Sequence, residues 1–385
     1  MDLQKTVVIL GGGTGGLVAA SELKKSAGKQ TRVILVDKNP NHVYAPSFLW
    51  LMQGKRSAKQ IQRPLSRLTR KGIEFVEDEI VNIDLDGKKV VTQSKSIPYD
   101  YLIISLGADL APEKIPGLAE GGYNLYQLDE VERLRDDLKN FSGGKVAVVI
   151  SSLPFKCPAA PYEAAFLLDE FFQKMGVRNK TEISIFTPEA LPMPAMGPDN
   201  GKVVREIVES KNIKFNPEVK LVSVDPKIKQ LVFENGRNES FDVLVYIPPH
   251  QGPKVVRESK IGNEMGWIPV DNKTLKTNHE NVFAIGDVAA ISLVSGKPLP
   301  RAGVFAHLQA EVVVANIISD IKGLPAGKEF DGHGFCFLEL GYGKGGFASG
   351  NFYAEPVPVV KMKRPGRLWH WGKVLFEKYW LRKWF

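Results

Sequence analysis

The run Val7-Val8-Ile9-Leu10, followed at once by Gly11-Gly12-Gly13-Thr14-Gly15-Gly16, constrains this chain more than any other stretch. Four consecutive apolar residues predict a strand buried on both faces. Leu17-Val18-Ala19-Ala20 then begins a helix. Gly11 suits the tight turn, Gly13 lets the backbone approach a pyrophosphate, and Gly16 allows close packing of helix on strand. The N–H groups of Thr14, Gly15 and Gly16 at the helix start are free to meet an anion. A second strand, Arg32-Val33-Ile34-Leu35-Val36, ends at Asp37, 21 residues beyond Gly16, where an acid that bonds a ribose belongs. Strand, loop, helix, strand and acid in that order predict a dinucleotide-binding α/β unit.

Lys145-Val146-Ala147-Val148-Val149-Ile150 opens like a second such unit, but no glycine turn follows. The chain reads Ser151-Ser152-Leu153-Pro154-Phe155-Lys156-Cys157-Pro158 instead. Proline offers no backbone N–H, and Leu153 and Phe155 would crowd a pyrophosphate. The next strand, Glu182-Ile183-Ser184-Ile185-Phe186, runs into Thr187-Pro188-Glu189 without the usual acid at its end. A nicotinamide dinucleotide is disfavoured here. A thiol, Cys157, stands where the loop should be, and Cys336 is the only other cysteine in 385 residues. Two cysteines are too few for a disulfide-stapled scaffold or a four-cysteine metal site, so no metal is expected. Two unrelated buried thiols remain the plain alternative to a working pair.

The net charge is +8, and residues 361–385 supply +7 of it, with eight basic groups against Glu377. Such a segment is attracted to an anionic membrane surface. Nucleic acid is a poor alternative, because nothing in the body extends the basic surface. Four of the six tryptophans (Trp369, Trp371, Trp380 and Trp384) fall in the last 17 residues, interleaved with Leu368, Leu375, Phe376 and Tyr379. They predict an amphipathic helix lying on a bilayer, with Leu368, Leu375 and Tyr379 on one stripe. Packing of this segment against its own protein or against a second copy stays open, and with it a homo-oligomer. No apolar run reaches the ~18 residues of a spanning helix. Met1-Asp2-Leu3-Gln4-Lys5 leads straight into a strand, so no signal peptide is expected.

Three segments carry a resemblance to two-dinucleotide flavoproteins: the glycine loop, Tyr99-Asp100-Tyr101-Leu102-Ile103-Ile104-Ser105-Leu106-Gly107-Ala108, and Asn281-Val282-Phe283-Ala284-Ile285-Gly286-Asp287. The resemblance implies FAD, with Asp287 on its ribityl chain and Gly107, Gly286, Lys38, Pro46 and Ile80 among its contacts. The run Cys157-Pro158-Ala159-Ala160-Pro161-Tyr162-Glu163 is similar to the redox-cysteine segment of the sulfide:quinone oxidoreductase and flavocytochrome c sulfide dehydrogenase family. Ile247-Pro248-Pro249-His250, Arg301-Ala302-Gly303-Val304-Phe305-Ala306 and the segment around Cys336 extend the likeness over nearly the whole chain.

That likeness implies a disulfide or sulfur bridge between Cys157 and Cys336 beside the flavin. Cys336 would be the thiolate next to the ring, Cys157 would carry the growing sulfur chain, and Glu163 would act as acid and base. A lowered thiol pKa is expected, with Lys156 as its cation. Arg301, Ala302 and Gly303 would aim a helix N-terminus at the flavin; many relatives have lysine in place of Arg301. Phe337 and Phe376 would sandwich a membrane quinone. No cysteine stands in Tyr123-Asn124-Leu125-Tyr126-Gln127-Leu128, where many members carry a third, so FAD is not expected to be linked through cysteine. No histidine stands near Ala195-Met196-Gly197 either, which leaves Glu163, His250, His307 or water to deprotonate the substrate.

The expected architecture is α/β, with two Rossmann-like dinucleotide-binding domains, the second inserted in the first. The FAD domain would span 1–142 and 270–345, the cysteine-bearing domain 143–269, and the membrane-associating region 346–385. The expected activity is oxidation of sulfide with electrons passed to a membrane quinone by a peripheral, monotopic flavoenzyme. A flavocytochrome-type dehydrogenase, an NADH:quinone oxidoreductase and a membrane-docking redox sensor are the alternatives.

Overall fold

The computed structural model describes residues 4–28, 31–325 and 327–385; Met1, Asp2 and Leu3 of the expected leader-free start lie outside them. The chain begins with β1 (Lys5–Leu10), α1 (Thr14–Ala27), β2 (Thr31–Asp37), β3 (Glu74–Glu77) and β4 (Tyr101–Ile104). It continues through β5 (Tyr123–Asn124), β6 (Gly144–Ile150), α2 (Ala160–Lys174), β7 (Thr181–Phe186), β8 (Ile213–Asn216) and β9 (Val243–Ile247). After β10 (Val282–Ala284) comes α3 (Gly303–Ile321). The remainder is β11 (His333–Gly341), β12 (Lys344–Asn351), β13 (Val359–Gly366) and α4 (Arg367–Lys383).

Two parallel five-stranded sheets result, ordered β10-β4-β1-β2-β3 and β5-β9-β6-β7-β8. Val7 to Leu10 are fully buried between β2 and β4, as their unbroken apolarity requires. The turn that follows is held by glycine: Gly11 has φ +94°, and a Cβ on Gly16 would lie 1.9 Å from the Gly11 carbonyl oxygen. The first sheet takes its last strand, β10, from beyond the second sheet, so the chain leaves one unit and returns to it.

Two expected boundaries shift. β5 pairs in parallel with β9, which puts residues 123 and 124 in the second sheet, ahead of 143. A cut at 345 would sever the antiparallel hairpin of β11 and β12, in which Cys336 pairs with Ala348. With β13 these strands make a three-stranded sheet, so residues 346–351 and 359–366 are strand and only α4 is helical tail.

The tail helix has two apolar faces. Val374, Trp380, Leu381 and Trp384 are buried, whereas Leu368, Trp371, Leu375 and Tyr379 are 52–73% exposed. Leu368, Leu375 and Tyr379 are thus all exposed on one side, whereas Trp380 and Trp384, two of the four tryptophans read as interfacial, turn into the core. The inner face reaches the glycine loop. Trp380 Nε1 donates to His42 Nε2 at 3.1 Å, and His42 Nδ1 donates to the Gly12 carbonyl at 2.9 Å. His307 packs edge-on against Trp380 and Trp384. Among the described residues the one helix long and apolar enough to cross a membrane is α3. Half of it is buried, and it packs on α1.

Candidate active site

The glycine loop, α1 and α3 frame a nucleotide cleft. The N-terminus of α3 meets that of α1: a Cβ on Gly303 would lie 3.3 Å from Thr14 Oγ1. A Cβ on Gly13, by contrast, would meet nothing within 4 Å, so the loop opens onto free space. Asp37 closes the first strand pair by accepting from Gly12 N at 2.6 Å. Gly107 follows β4, and Gly286 and Asp287 follow β10, all at the same ends of the parallel strands. Arg301 reaches in from the segment before α3. Its Nε donates to the Asp287 carbonyl at 3.0 Å, and its guanidinium lies 3.9 Å from the Trp267 ring centre. Arg301 Nη1 is buried with no partner among the described residues. An orphaned guanidinium nitrogen beside two converging helix N-termini suits an electron-rich, anionic cofactor such as FAD. Lys38 is exposed and turned toward Glu79 at 3.7 Å, Pro46 is exposed, and Ile80 is half-buried.

Cys157 is held next to this cleft. Its backbone N donates to the Arg301 carbonyl at 2.6 Å, and its φ of +50° turns the chain sharply. Tyr126 fastens the same turn, its hydroxyl donating to the Lys156 carbonyl at 2.6 Å and to that of Cys157 at 3.2 Å. Tyr126 lies in the stretch where a third cysteine was weighed. This anchoring role is not legible in the sequence, because it depends on a contact across 30 residues.

Cys336 comes to the same place on β11, because α2 packs on that strand. Both thiols are free, and both pack against one apolar cluster. Cys336, and not Cys157, lines a cavity of about 260 Å³ whose walls are almost wholly apolar. Asp287 acts electrostatically on Cys157 but is not among the groups acting on Cys336. Phe155, Pro158 and Ala159, around Cys157, line the same cavity, and so do Arg301 and Ala302 from the cofactor cleft.

The expected lowering of the thiol pKa is reversed. Burial, then the Glu163 carboxylate, push the Cys157 thiol up to about 12, and Lys373 is the cation that opposes them. The Cys336 thiol is pushed well above the thiol range by burial, then by a thiolate at Cys157 and by Glu163. Lys156 is a second cation beside Cys157: it is half-buried, and Asp287 and then a thiolate at Cys157 both favour its charge. Burial raises the Asp287 carboxyl, while Lys156 and then Arg301 hold that rise back.

Lys373 belongs to α4, and as one lysine in a basic tail it gave no sign of entering the core. Its Nζ donates to Glu163 Oε1 at 2.6 Å, the oxygen that also accepts from Glu339 N at 2.6 Å. Glu339 in turn accepts from His370 Nδ1 at 2.9 and 3.1 Å. Burial alone would depress Lys373, but Glu163 and then Glu339 carry it above the usual lysine value. One signal was available: Lys373, Glu377, Trp380 and Trp384 follow helical spacing, so the charge shares the face of the buried tryptophans.

The histidines weighed as bases are poor ones. Burial and then Lys156 press His250 down to about 3, with Nδ1 donating to the Pro248 carbonyl at 2.8 Å. His307 is occupied with Glu311 and the tryptophans of α4. Phe337 and Phe376 already touch, 6.2 Å between centres and tilted by 43°, which leaves no slot for a third ring between them. Phe335 lines the cavity and packs edge-on against both.

A chain with this cleft, and with a thiol where a second glycine loop would stand, falls in a defined class. Residues 5–310 match the pyridine nucleotide-disulphide oxidoreductase family, and the chain belongs to it. Its particular relatives within that class are sulfide:quinone oxidoreductases. It is 28% identical to the mitochondrial sulfide:quinone oxidoreductase of Mus musculus, over 91% of this chain and 79% of that one. It is 27% identical to the sulfide-quinone reductase of Aquifex aeolicus, over 99% and 91%. The solved structure of the Aquifex aeolicus sulfide:quinone oxidoreductase superposes with a TM-score of 0.88 at 26% identity, covering 99% of this chain and 91% of that one. The type II NADH:quinone oxidoreductase of Staphylococcus aureus is 25% identical over 83% of each chain. The protein is an FAD-binding oxidoreductase related to the sulfide:quinone enzymes.

Proposed function

We propose that this protein oxidises sulfide through Cys157 and Cys336 and passes the electrons by way of FAD to a quinone in the membrane. The observation that carries this reading is that two thiols, distant in sequence, pack against one apolar cluster beside the cofactor cleft, close enough for a charge on Cys157 to act on Cys336. When bound, FAD supplies a two-electron acceptor that a quinone can reoxidise. Gly11, Gly13, Thr14, Gly15, Gly16, Asp37, Gly107, Gly286 and Asp287 would hold it, with Arg301, Ala302 and Gly303 at the α3 N-terminus. The two cysteines then work as a disulfide or longer sulfur bridge.

Hydrosulfide enters the cavity, whose apolar wall strips its water, and attacks the sulfur of Cys336. Exchange leaves Cys336 as a persulfide and Cys157 as a thiolate on the cofactor side. This exchanges the roles that the resemblance implies for the two cysteines; it rests on Cys336 lining the cavity where Cys157 contributes only its neighbours Phe155, Pro158 and Ala159. Lys373 offsets the Cys157 thiolate across the buried site and keeps Glu163 in place.

Quinone would approach the half-exposed Phe337 and Phe376 along α4, whose outer stripe lies on the bilayer with Arg382 and Lys383 beside it. An NADH:quinone reaction is disfavoured, because residues 151–158 contain no glycine and expose Leu153 at 48%. Anaerobic sulfide should bleach the bound flavin, and a short-chain quinone should restore its colour. Bleaching by NADH but not by sulfide would overturn the reading.

A further inference from the structure

Glu189 lies three residues past β7 and is only 3% exposed. In a dinucleotide unit an acid at this place would face a ribose at the strand ends. Here it turns inward. The Tyr162 hydroxyl, on α2, donates to Glu189 Oε2, and Thr187 Oγ1 donates to the same oxygen at 3.2 Å. Glu189 also lines the apolar cavity that Cys336 lines, and among the described residues it is the one acid to do so.

We propose that Glu189 is the acid–base residue of this cavity and takes the proton that each hydrosulfide brings in. The inference rests on the sulfide reading above. Hydrosulfide bonds to the sulfur of Cys336 as the bond from Cys336 to Cys157 breaks. The incoming sulfur is oxidised, and Cys157 leaves with the electron pair as a thiolate. Cys336 then carries –S–SH. Its proton passes to the Glu189 carboxylate, leaving –S–S⁻ and a neutral carboxylic acid. The anionic terminal sulfur is the nucleophile that a following exchange requires.

Burial raises the Glu189 carboxyl to about 7, while Tyr162 and Thr187 pull it the other way. That value lets the group gain and lose a proton near neutrality. The titratable groups that face it are Tyr162 from α2 and Tyr126, on whose hydroxyl its charge acts; Cys336 from β11 and Lys297 and Arg301 from the segment before α3 line the same cavity. Neither cation is within ion-pairing distance of the carboxylate among the described residues.

The test is anaerobic stopped-flow bleaching of the flavin by sulfide across pH, with hydrosulfide held constant so that its own ionisation drops out. Wild type should accelerate with pH to a plateau above about 7. Glu189→Gln should lose that step and run about 10²-fold slower on the plateau. Reoxidation by a short-chain quinone should match wild type in this variant. Tyr162→Phe removes a donor to the carboxylate and should move the step to higher pH, which decides the matter if the glutamine variant fails to fold. A glutamine variant with wild-type rate and profile, an unmoved midpoint in Tyr162→Phe, or an equal loss in the quinone half-reaction would overturn the role of Glu189 alone. Wild type that sulfide does not bleach would overturn the sulfide reading itself.

Discussion

Lys373 Nζ and Glu163 Oε1 meet at 2.6 Å across 210 residues of sequence, and both side chains are nearly sealed from water at 6% and 3% exposure. This pair joins the C-terminal helix to the helix that follows Cys157, so the surface segment and the redox site are one structure. Removing one partner of a buried pair leaves the other charge uncompensated, at a cost of about 3–5 kcal/mol. Lys373→Met should therefore lower the denaturation midpoint sharply, and adding Glu163→Gln should recover much of the loss. A Lys373→Met variant with wild-type stability would show that the pair holds nothing together.

The two faces of α4 should separate cleanly in experiment. Glu in place of Leu368, Trp371 and Leu375 changes only exposed positions, so stability should hold within about 1 kcal/mol while co-sedimentation with anionic vesicles is lost. Trp380→Ala empties a buried site instead and should cost about 3–5 kcal/mol. It should also loosen FAD, because Trp380 supports His42 and His42 supports the Gly12 carbonyl. Measured flavin content after dialysis distinguishes the two.

Much of the nucleotide unit was legible because its signals are local. The apolar run from Val7 to Leu10, the glycines and Asp37 all lie within one short stretch and report on one turn. What escaped depends on contacts between distant segments. Strand β11 reads as the end of a domain until its pairing with β12 is known, and Glu189 reads as a loop acid until Tyr162 is seen beside it. The tail was half legible: helical spacing gives Leu368, Leu375 and Tyr379 one stripe. It cannot reveal that Trp380 and Trp384 meet His307 and His42 on the other side. The thiol environment was half legible for the same reason: adjacency along the chain points to Lys156, while folding adds burial, Glu163 and Lys373.

Cofactor binding offers a contrast between two glycines of one loop. Gly16→Ala puts a methyl group 1.9 Å from the Gly11 carbonyl oxygen, so the loop itself must break and the protein should fold poorly. Gly13→Ala meets no protein atom within 4 Å, so the chain should fold normally and yet retain less FAD. Acid precipitation of wild type should leave the flavin in the supernatant, since no cysteine stands where a thioether link would form. A yellow pellet would refute this.

The elevated Glu189 pKa has a consequence for stability. The native carboxyl titrates at about 7 and the unfolded one at 4.5, so the native state holds an extra proton between those values. Its contribution is complete below pH 4.5 and is lost as the pH rises to 7, an effect of roughly 3 kcal/mol over the window. Chemical denaturation of wild type against Glu189→Gln should show the difference in slope across that range. Parallel curves would place the carboxyl in water.

The most direct test is to digest the oxidised protein without reductant after blocking free thiols, and to weigh the peptides that contain residues 157 and 336. One linked species, heavier than the two peptides by zero or more extra sulfur atoms and lengthened after sulfide is added, is the predicted result. Two separately blocked peptides from a protein whose flavin sulfide still reduces would contradict it.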